Sequence, residues 1–81
     1  SMNLYPNPAS SQINLELKLK SNQIYKLSII DILGREMQTL NFEGMDETEH
    51  MTIDISNLQT GVYTMRLIGG EYELIQKWNK F

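Results

Sequence analysis

The sequence predicts an all-β domain, an immunoglobulin-like antiparallel β-sandwich of about seven short strands. Several runs alternate apolar and polar residues at the period of a half-buried strand, and turn-forming residues separate these runs. No segment keeps the 3.6-residue period of a helix over about ten residues or more. A β-barrel, in which the strands close into one continuous sheet, is the less favoured fold for the same pattern.

The clearest strand pattern follows a proline-rich opening. Pro6 and Pro8 exclude a helix there, because proline lacks an amide donor and holds the preceding residue in extended geometry. The segment from Leu4 to Pro8 is therefore predicted as a short edge strand that leaves through a kink, and residues 9–11 as a turn. Four aliphatic side chains then occupy one face of the next strand: Ile13, Leu15, Leu17 and Leu19.

A second pair of strands is predicted around a glycine turn. Three apolar residues alternate on the first of them: Tyr25, Leu27 and Ile29. Asp31 to Arg35 forms a tight hairpin in which Gly34 can adopt a positive φ. On the returning strand Met37 is expected to point inwards, and a bulge is expected to shift the alternation near Leu40 and Phe42.

An acidic stretch, residues 43–49, is predicted as a loop that is too charged to pack. It lacks the alternating ligands and closing glutamate of a calcium-binding EF-hand, so a solvated loop is favoured over a calcium site. His50 is the only histidine, and a solvated strand end is favoured over a catalytic triad there. No catalytic residue, metal ligand or cofactor site is predicted.

The stretch from Asp54 to Tyr63 joins the two most regular strand patterns and is predicted to cross between the sheets. Leu58 is expected to enter the core, Ser56 to bond to the local backbone, and Gly61 to supply an unusual φ. A tyrosine two residues after such a glycine is typical of a tyrosine corner, in which the ring is buried and the hydroxyl bonds back onto the loop. Tyr63 is assigned that role.

The end of the chain carries aromatic and cationic residues on a last strand that follows a Gly69-Gly70 hairpin turn. Trp78 is interpreted as a lid on the core, with a recognition surface as the alternative. The hypothesis for that surface names Lys77, Trp78, Lys80 and Phe81. A last strand is also an edge with which another sheet can pair.

Composition excludes several functions. A net charge of −3 and a pI near 4.9 argue against a nucleic-acid surface, which would need a basic stripe. The absence of cysteine excludes disulfides and thiolate metal sites. The chain shows no apolar run of membrane-spanning length and no signal peptide. Ser1 and Met2 are interpreted as a remnant of cloning, and residues 3–81 as one domain.

Three motifs together resemble the C-terminal sorting domain of proteins exported by the type IX secretion system of Bacteroidetes. They lie at residues 5–10, 30–35 and 54–63, in this order and close to the end of the chain. The motif residues are Tyr5, Pro6, Asn7, Pro8, Asp31, Gly34, Arg35, Asp54, Ser56, Leu58, Gly61 and Tyr63. The resemblance covers nearly the whole chain.

The resemblance implies a non-catalytic secretion signal without a cofactor, fused behind a larger cargo protein. The implied partners are outer-membrane components of the secretion machinery and a sortase-like peptidase that removes the domain. The fusion would be periplasmic in transit and then reach the outer membrane and cell surface, or be secreted.

One departure from the family concerns the last residues. Family members usually end in a β-branched and basic run, whereas here only Lys77 and Lys80 fit the basic pattern. We expect main-chain pairing of the last strand to supply affinity and these lysines to supply orientation. Removal of the last few residues is expected to stop export without unfolding the sandwich.

Two other function classes and one assembly stay open at this point. A non-catalytic adhesion or carbohydrate-binding accessory module would need exposed aromatic residues in a line or groove, for which the candidates are Tyr5, Tyr25, Tyr72 and Trp78. A small hydrolase is the least favoured class, since no nucleophile and base are visible as a pair. A homodimer through edge strands is permitted but not required.

Overall fold

Seven strands form two packed antiparallel sheets in the computed structural model, which describes residues 2–45 and 47–81. The strands are β1 (Met2–Tyr5), β2 (Gln12–Lys18), β3 (Ile24–Ile30), β4 (Glu36–Glu43), β5 (Thr48–Asp54), β6 (Gly61–Gly69) and β7 (Tyr72–Lys80). The described residues contain no helix. The prediction of an all-β sandwich is confirmed.

The strand order determines which strands lie at the edges of the two sheets. One sheet has the order β1-β2-β5 and the other has the order β4-β3-β6-β7. In a constant-type immunoglobulin domain the fourth strand joins the first sheet. Here β4 pairs with β3 instead, and the chain from β5 to β6 crosses between the sheets as predicted. The edge strands are therefore β1 and β5 in one sheet and β4 and β7 in the other.

The core lies between the sheets and consists mainly of the alternating inward residues of the strands. The aliphatic residues predicted on the second strand and the apolar residues predicted on β3 are all buried, although Leu19 lies just beyond the end of β2. β6 adds Tyr63, Met65 and Leu67, and β7 adds Trp78. Each fully buried side chain of this size stabilises the fold by about 1.5–3 kcal/mol relative to exposure.

The prediction for Met37 is wrong. Ile29 pairs with Gln38 and Ile30 pairs with Glu36, so Met37 is the extra residue of a bulge at the start of β4. The bulge leaves the Met37 side chain exposed. Leu40 lies on the core side, opposite Leu27, but it is also exposed because the three-stranded sheet does not fully cover β4.

Two predicted loops have different bounds in the structure. Residues 44–47 connect β4 to β5, and Asp46 lies outside the described residues. Glu49 belongs to β5, pairs with Leu17 and is partly buried, so the prediction that all of residues 43–49 are loop is wrong. The final hairpin turns at residues 70–71, because Gly69 still pairs with Tyr72.

Candidate functional site

The four residues predicted to form a recognition surface at the end of the chain do not share one surface. Trp78 is only 1% exposed, and its ring stacks on Tyr63 with 5.3 Å between the ring centroids. Lys80 is also buried, and its Nζ donates a hydrogen bond of 2.6 Å to the main-chain oxygen of Phe81. Lys77 and Phe81 are exposed. The structure thus places Trp78 in the core, the interpretation that the sequence favours.

Tyr63, on which the Trp78 ring stacks, belongs to the corner between β5 and β6. The Tyr63 hydroxyl donates a 2.6 Å hydrogen bond to the main-chain oxygen of Gln59, and its ring is buried. Leu58 is buried as well, and its N–H donates to the Ile55 oxygen at 3.0 Å. The tyrosine corner is confirmed. Gly61 has a positive φ of 158°, which residues with a side chain rarely adopt, so the predicted unusual φ is confirmed.

Asp54 closes the start of the same corner. Its Oδ1 accepts hydrogen bonds from the Ser56 hydroxyl at 2.6 Å and from the Ser56 N–H at 2.9 Å. These bonds, the hydroxyl bond first, lower the pKa of the Asp54 carboxyl from its ordinary value. The Asp54 main-chain oxygen accepts from Gln38 Nε2 at 3.0 Å, which ties β5 to β4 in the facing sheet.

The turn between β3 and β4 is fixed by Asp31. Its Oδ1 accepts from the N–H groups of Leu33 and Arg35, both at 2.9 Å, and its Oδ2 lies 2.7 Å from Arg35 Nε. Gly34 has φ of 84°, in the left-handed region that favours glycine. The hydrogen bond from the Arg35 N–H does most to lower the pKa of the Asp31 carboxyl. This clamp leaves Ile32 and Leu33 exposed at the turn.

Residues 7–9, which we call the crossing segment, join the start of the domain to its end. The Ala9 N–H donates to the Asn79 oxygen at 2.9 Å, and the Phe81 N–H donates to the Ala9 oxygen at 2.8 Å. The Asn79 N–H donates to Asn7 Oδ1 at 3.0 Å. Ala9 is buried and forms a parallel bridge with Lys80, so the prediction of a simple turn at residues 9–11 is wrong for Ala9.

The crossing segment covers only the end of the outer edge of β7. In an antiparallel ladder both main-chain groups of one residue point to the same side, and alternate residues point to opposite sides. Asn79 directs its N–H and C=O to the crossing segment. The main-chain groups of Glu73, Ile75 and Lys77 therefore point to the same outer side, where no described strand lies.

A measurable consequence of the crossing segment is its contribution to stability. Asn7→Ala should lower the free energy of unfolding by about 0.5–1.5 kcal/mol, because the Asn79 N–H loses its side-chain acceptor. Urea denaturation measures this change. Asn41→Ala, at an exposed position on β4, is the matched control and should leave the midpoint unchanged. Equal midpoints for wild type and Asn7→Ala would contradict the role of this bond.

The acid stability of the domain depends on three carboxylates whose pKa values are lowered in the folded state. Besides Asp31 and Asp54, the pKa of Glu36 is lowered, first by its hydrogen bond with Lys26 and then by that with Ser28. At low pH the unfolded chain binds more protons than the folded chain, so the free energy of unfolding decreases as the pH is lowered.

We therefore expect the urea midpoint to be highest above the ordinary pKa values of 3.8 for Asp and 4.5 for Glu, and to fall as the pH drops through the lowered values. Urea titrations at a series of pH values measure this. Glu36→Gln should show a smaller loss on acidification than wild type. A midpoint that rises on acidification would contradict the assignment.

His50 and the carboxylates are the side chains to consider for catalysis or metal binding. Exposed His50 has Nδ1 4.0 Å from Glu16 Oε2, and it is charged only if protonated. Across residues 2–45 and 47–81, no group of three or more His, Cys, Asp or Glu residues could hold a metal ion. The same residues include no helix that is long and apolar enough to cross a membrane.

The aromatic residues considered for a carbohydrate platform are dispersed. Tyr25 is buried, with its ring 5.8 Å from that of Phe42 and 6.3 Å from that of Tyr72. Trp78 is buried too, and exposed Tyr5 lies on β1 in the other sheet from Tyr72 on β7. These four candidates therefore form no exposed line or groove, and the accessory-module reading loses its support.

A protein-family model matches most of the chain. No curated protein matches the chain significantly. The model of the family described as the secretion system C-terminal sorting domain matches residues 3–80. This span contains the proline-rich motif at residues 5–10, the Asp31 turn and the tyrosine corner, which are the three motifs described above. The chain belongs to the secretion system C-terminal sorting domain family, and the domain is a C-terminal sorting signal for type IX secretion.

Proposed function

We propose that this domain carries a cargo protein fused upstream of it from the periplasm across the outer membrane, and that a sortase-like peptidase then removes the domain. The family match over residues 3–80 carries this proposal, since a sorting signal of this class acts on the protein to which it is joined. The domain itself acts as a recognition element and not as a catalyst. The cargo is left on the cell surface or secreted.

A fusion protein tests removal of the domain directly. A folded reporter joined through its natural upstream linker is produced in a type IX-competent bacterium with and without the sortase-like peptidase. We expect the surface reporter to be smaller in the complete strain by at least about the 9.4 kDa of this chain. Reporter of full size on the surface of both strains would show that this peptidase does not remove the domain.

We further propose that Lys77 and Phe81 contact the export machinery, while Trp78 and Lys80 hold the last strand in place. This assignment is supported by the exposure of Lys77 and Phe81 and by the burial of the other two residues. The burial of Trp78 also changes the experiment that tests this surface. Deletion of the last few residues would remove Trp78 from the core, so substitutions at exposed positions are used instead.

Phe81→Ser is the first of these substitutions. Phe81 is 68% exposed, and serine keeps the main-chain N–H that bonds to Ala9. We expect less reporter on the surface and an unchanged melting temperature, measured by protease accessibility in cells and by circular dichroism of the isolated domain. Met45→Ser, at an exposed loop position, is the matched control and should export normally. Normal export of Phe81→Ser would exclude a contact through this ring.

The open edge of β7 also allows two copies to pair, which is the assembly proposed for a homodimer. A strand from a second copy would use the same main-chain groups as a strand of the machinery. Sedimentation of the purified domain over a range of concentrations measures this. A single monomeric species at all concentrations would exclude the homodimer and leave the edge for the machinery.

A further inference from the structure

The outer edge of β7 offers main-chain hydrogen bonds over a short, defined length. Glu73, Ile75 and Lys77 direct their N–H and C=O groups away from β6, and the edge closes at Asn79, where the crossing segment pairs. An added strand can therefore pair along Glu73 to Lys77 but no further. This length is that of a short peptide in β-augmentation.

A shallow hollow with apolar walls lies beside this edge. It lies on the outer face of the four-stranded sheet, away from the core, and Ile32, Val62 and Ile75 contribute to its lining. All three side chains are exposed, and those of Ile32 and Ile75 are 78% and 60% exposed. Exposed aliphatic groups grouped around one hollow indicate a contact surface more than single scattered ones do.

The charges around the hollow leave one cation available. Arg66 Nε lies 2.9 Å from Glu73 Oε2, and Arg35 is held by Asp31, so both guanidinium groups are already paired. Lys77 also lines the hollow, and no carboxylate of residues 2–45 or 47–81 lies within ion-pair distance of it. A carboxylate on a partner would complement this ammonium group.

We propose that this edge and hollow bind an extended segment of the export machinery that carries an acidic side chain between aliphatic ones. The segment adds as a fifth strand beside β7, its aliphatic side chains pack on Ile75 at the near side of the hollow, and its carboxylate pairs with Lys77. This inference rests on the proposed function, and it specifies the chemistry of the partner and the surface that the partner covers.

Ile75→Pro tests the main-chain part of this proposal. Proline removes the N–H that points to the open edge and none of the hydrogen bonds between β6 and β7, so an edge strand tolerates it. We expect surface reporter to fall about tenfold, equivalent to the loss of one or two main-chain hydrogen bonds. Circular dichroism and the melting temperature of the isolated domain verify that the variant folds.

Ile75→Ser tests the side-chain part, because it keeps the main-chain donor and removes the aliphatic contact. Lys77→Glu tests the charge, because it would place a carboxylate opposite the carboxylate of the partner. Both should reduce export. The matched controls are Ile24→Ser, which removes an aliphatic residue exposed outside the hollow, and Lys18→Glu, which reverses an exposed lysine on the other sheet. Both controls should export at the wild-type level.

A photo-crosslinking amino acid at position 75, and in a second fusion at position 24, identifies the segment. In the competent strain we expect a crosslink from position 75 only, to a segment with Asp or Glu within two residues of the crosslinked site. Normal export of folded Ile75→Pro and Lys77→Glu, or a crosslink to a segment without an acidic residue, would overturn the inference. If the inference fails in this way, export of the wild-type fusion in the competent strain, but not in the strain without the system, would still support the proposed function. If the wild-type fusion is not exported, both the inference and the proposed function are overturned.

Discussion

Trp78→Ala is expected to lower the free energy of unfolding by about 3–5 kcal/mol, the typical cost of truncating a buried aromatic residue to alanine. Trp78 is fully buried, stacks on Tyr63 and lies close to the residues that pair with the crossing segment. Domains of this kind are stable by about 5–15 kcal/mol in total, so the variant should be close to unfolding. Urea denaturation followed by circular dichroism measures the loss without the tryptophan signal.

The neighbouring residue supplies the control for this prediction. Lys77→Ala changes an exposed side chain on the opposite face of the same strand and should alter stability by no more than about 0.5 kcal/mol. Trp78→Phe should lie between the two, because the ring contact with Tyr63 is kept and the indole N–H has no hydrogen-bond partner among the described residues. Similar midpoints for Trp78→Ala and Lys77→Ala would contradict the placement of Trp78 in the core.

Tyr63→Ala has the second large effect. We expect a loss of about 3–5 kcal/mol, because the buried ring packs on Trp78 and fixes the crossing between the sheets. Tyr63→Phe keeps the ring and removes only the hydroxyl bond to the Gln59 oxygen, so its cost should be about 1 kcal/mol. Urea midpoints of the two variants separate these contributions.

Equal midpoints for Tyr63→Phe and Tyr63→Ala would contradict the tyrosine corner, since the ring would then contribute nothing beyond its hydroxyl. Thr64→Ala, the next residue on β6 and on the opposite face, controls for disturbance of the strand itself. Its midpoint should stay close to that of wild type.

These large effects connect stability with sorting. Lys77 on β7 and Phe81 just after it are the residues proposed to meet the machinery, and they alternate with Trp78 and Lys80, which are buried. We therefore expect a loss of the Trp78 contact to displace the proposed recognition surface as well. Export of a variant at these positions is informative only when its folding is measured in parallel.

Local alternation predicted most of this fold. In β2 the inward residues are aliphatic and their neighbours are polar, so period and burial agree along the strand. In β3 the inward residues also follow the period, although Ser28 on the other face is buried as well. The tyrosine corner was predictable for a related reason. Tyr63, Gly61 and the residues between β5 and β6 form a local motif with a known hydrogen bond, and no distant partner is needed to recognise it.

The remaining errors depend on contacts between distant parts of the chain. The buried bridge between Ala9 and Lys80 joins residues from opposite ends, and a small residue after a proline gives no periodic signal for it. The bulge at Met37 depends on how β4 pairs with β3. Likewise the exposure of Ile32, Val62 and Ile75 around one hollow follows from strand order, which the sequence pattern does not determine.

The most direct test of the central claim is the location of a reporter that carries residues 3–81 at its C-terminus, behind the natural upstream linker. Its surface fraction is measured by protease accessibility in a type IX-competent bacterium and in the same strain without that system. The account predicts surface reporter in the competent strain and periplasmic reporter in the other. Periplasmic retention of a folded fusion in both strains would contradict it.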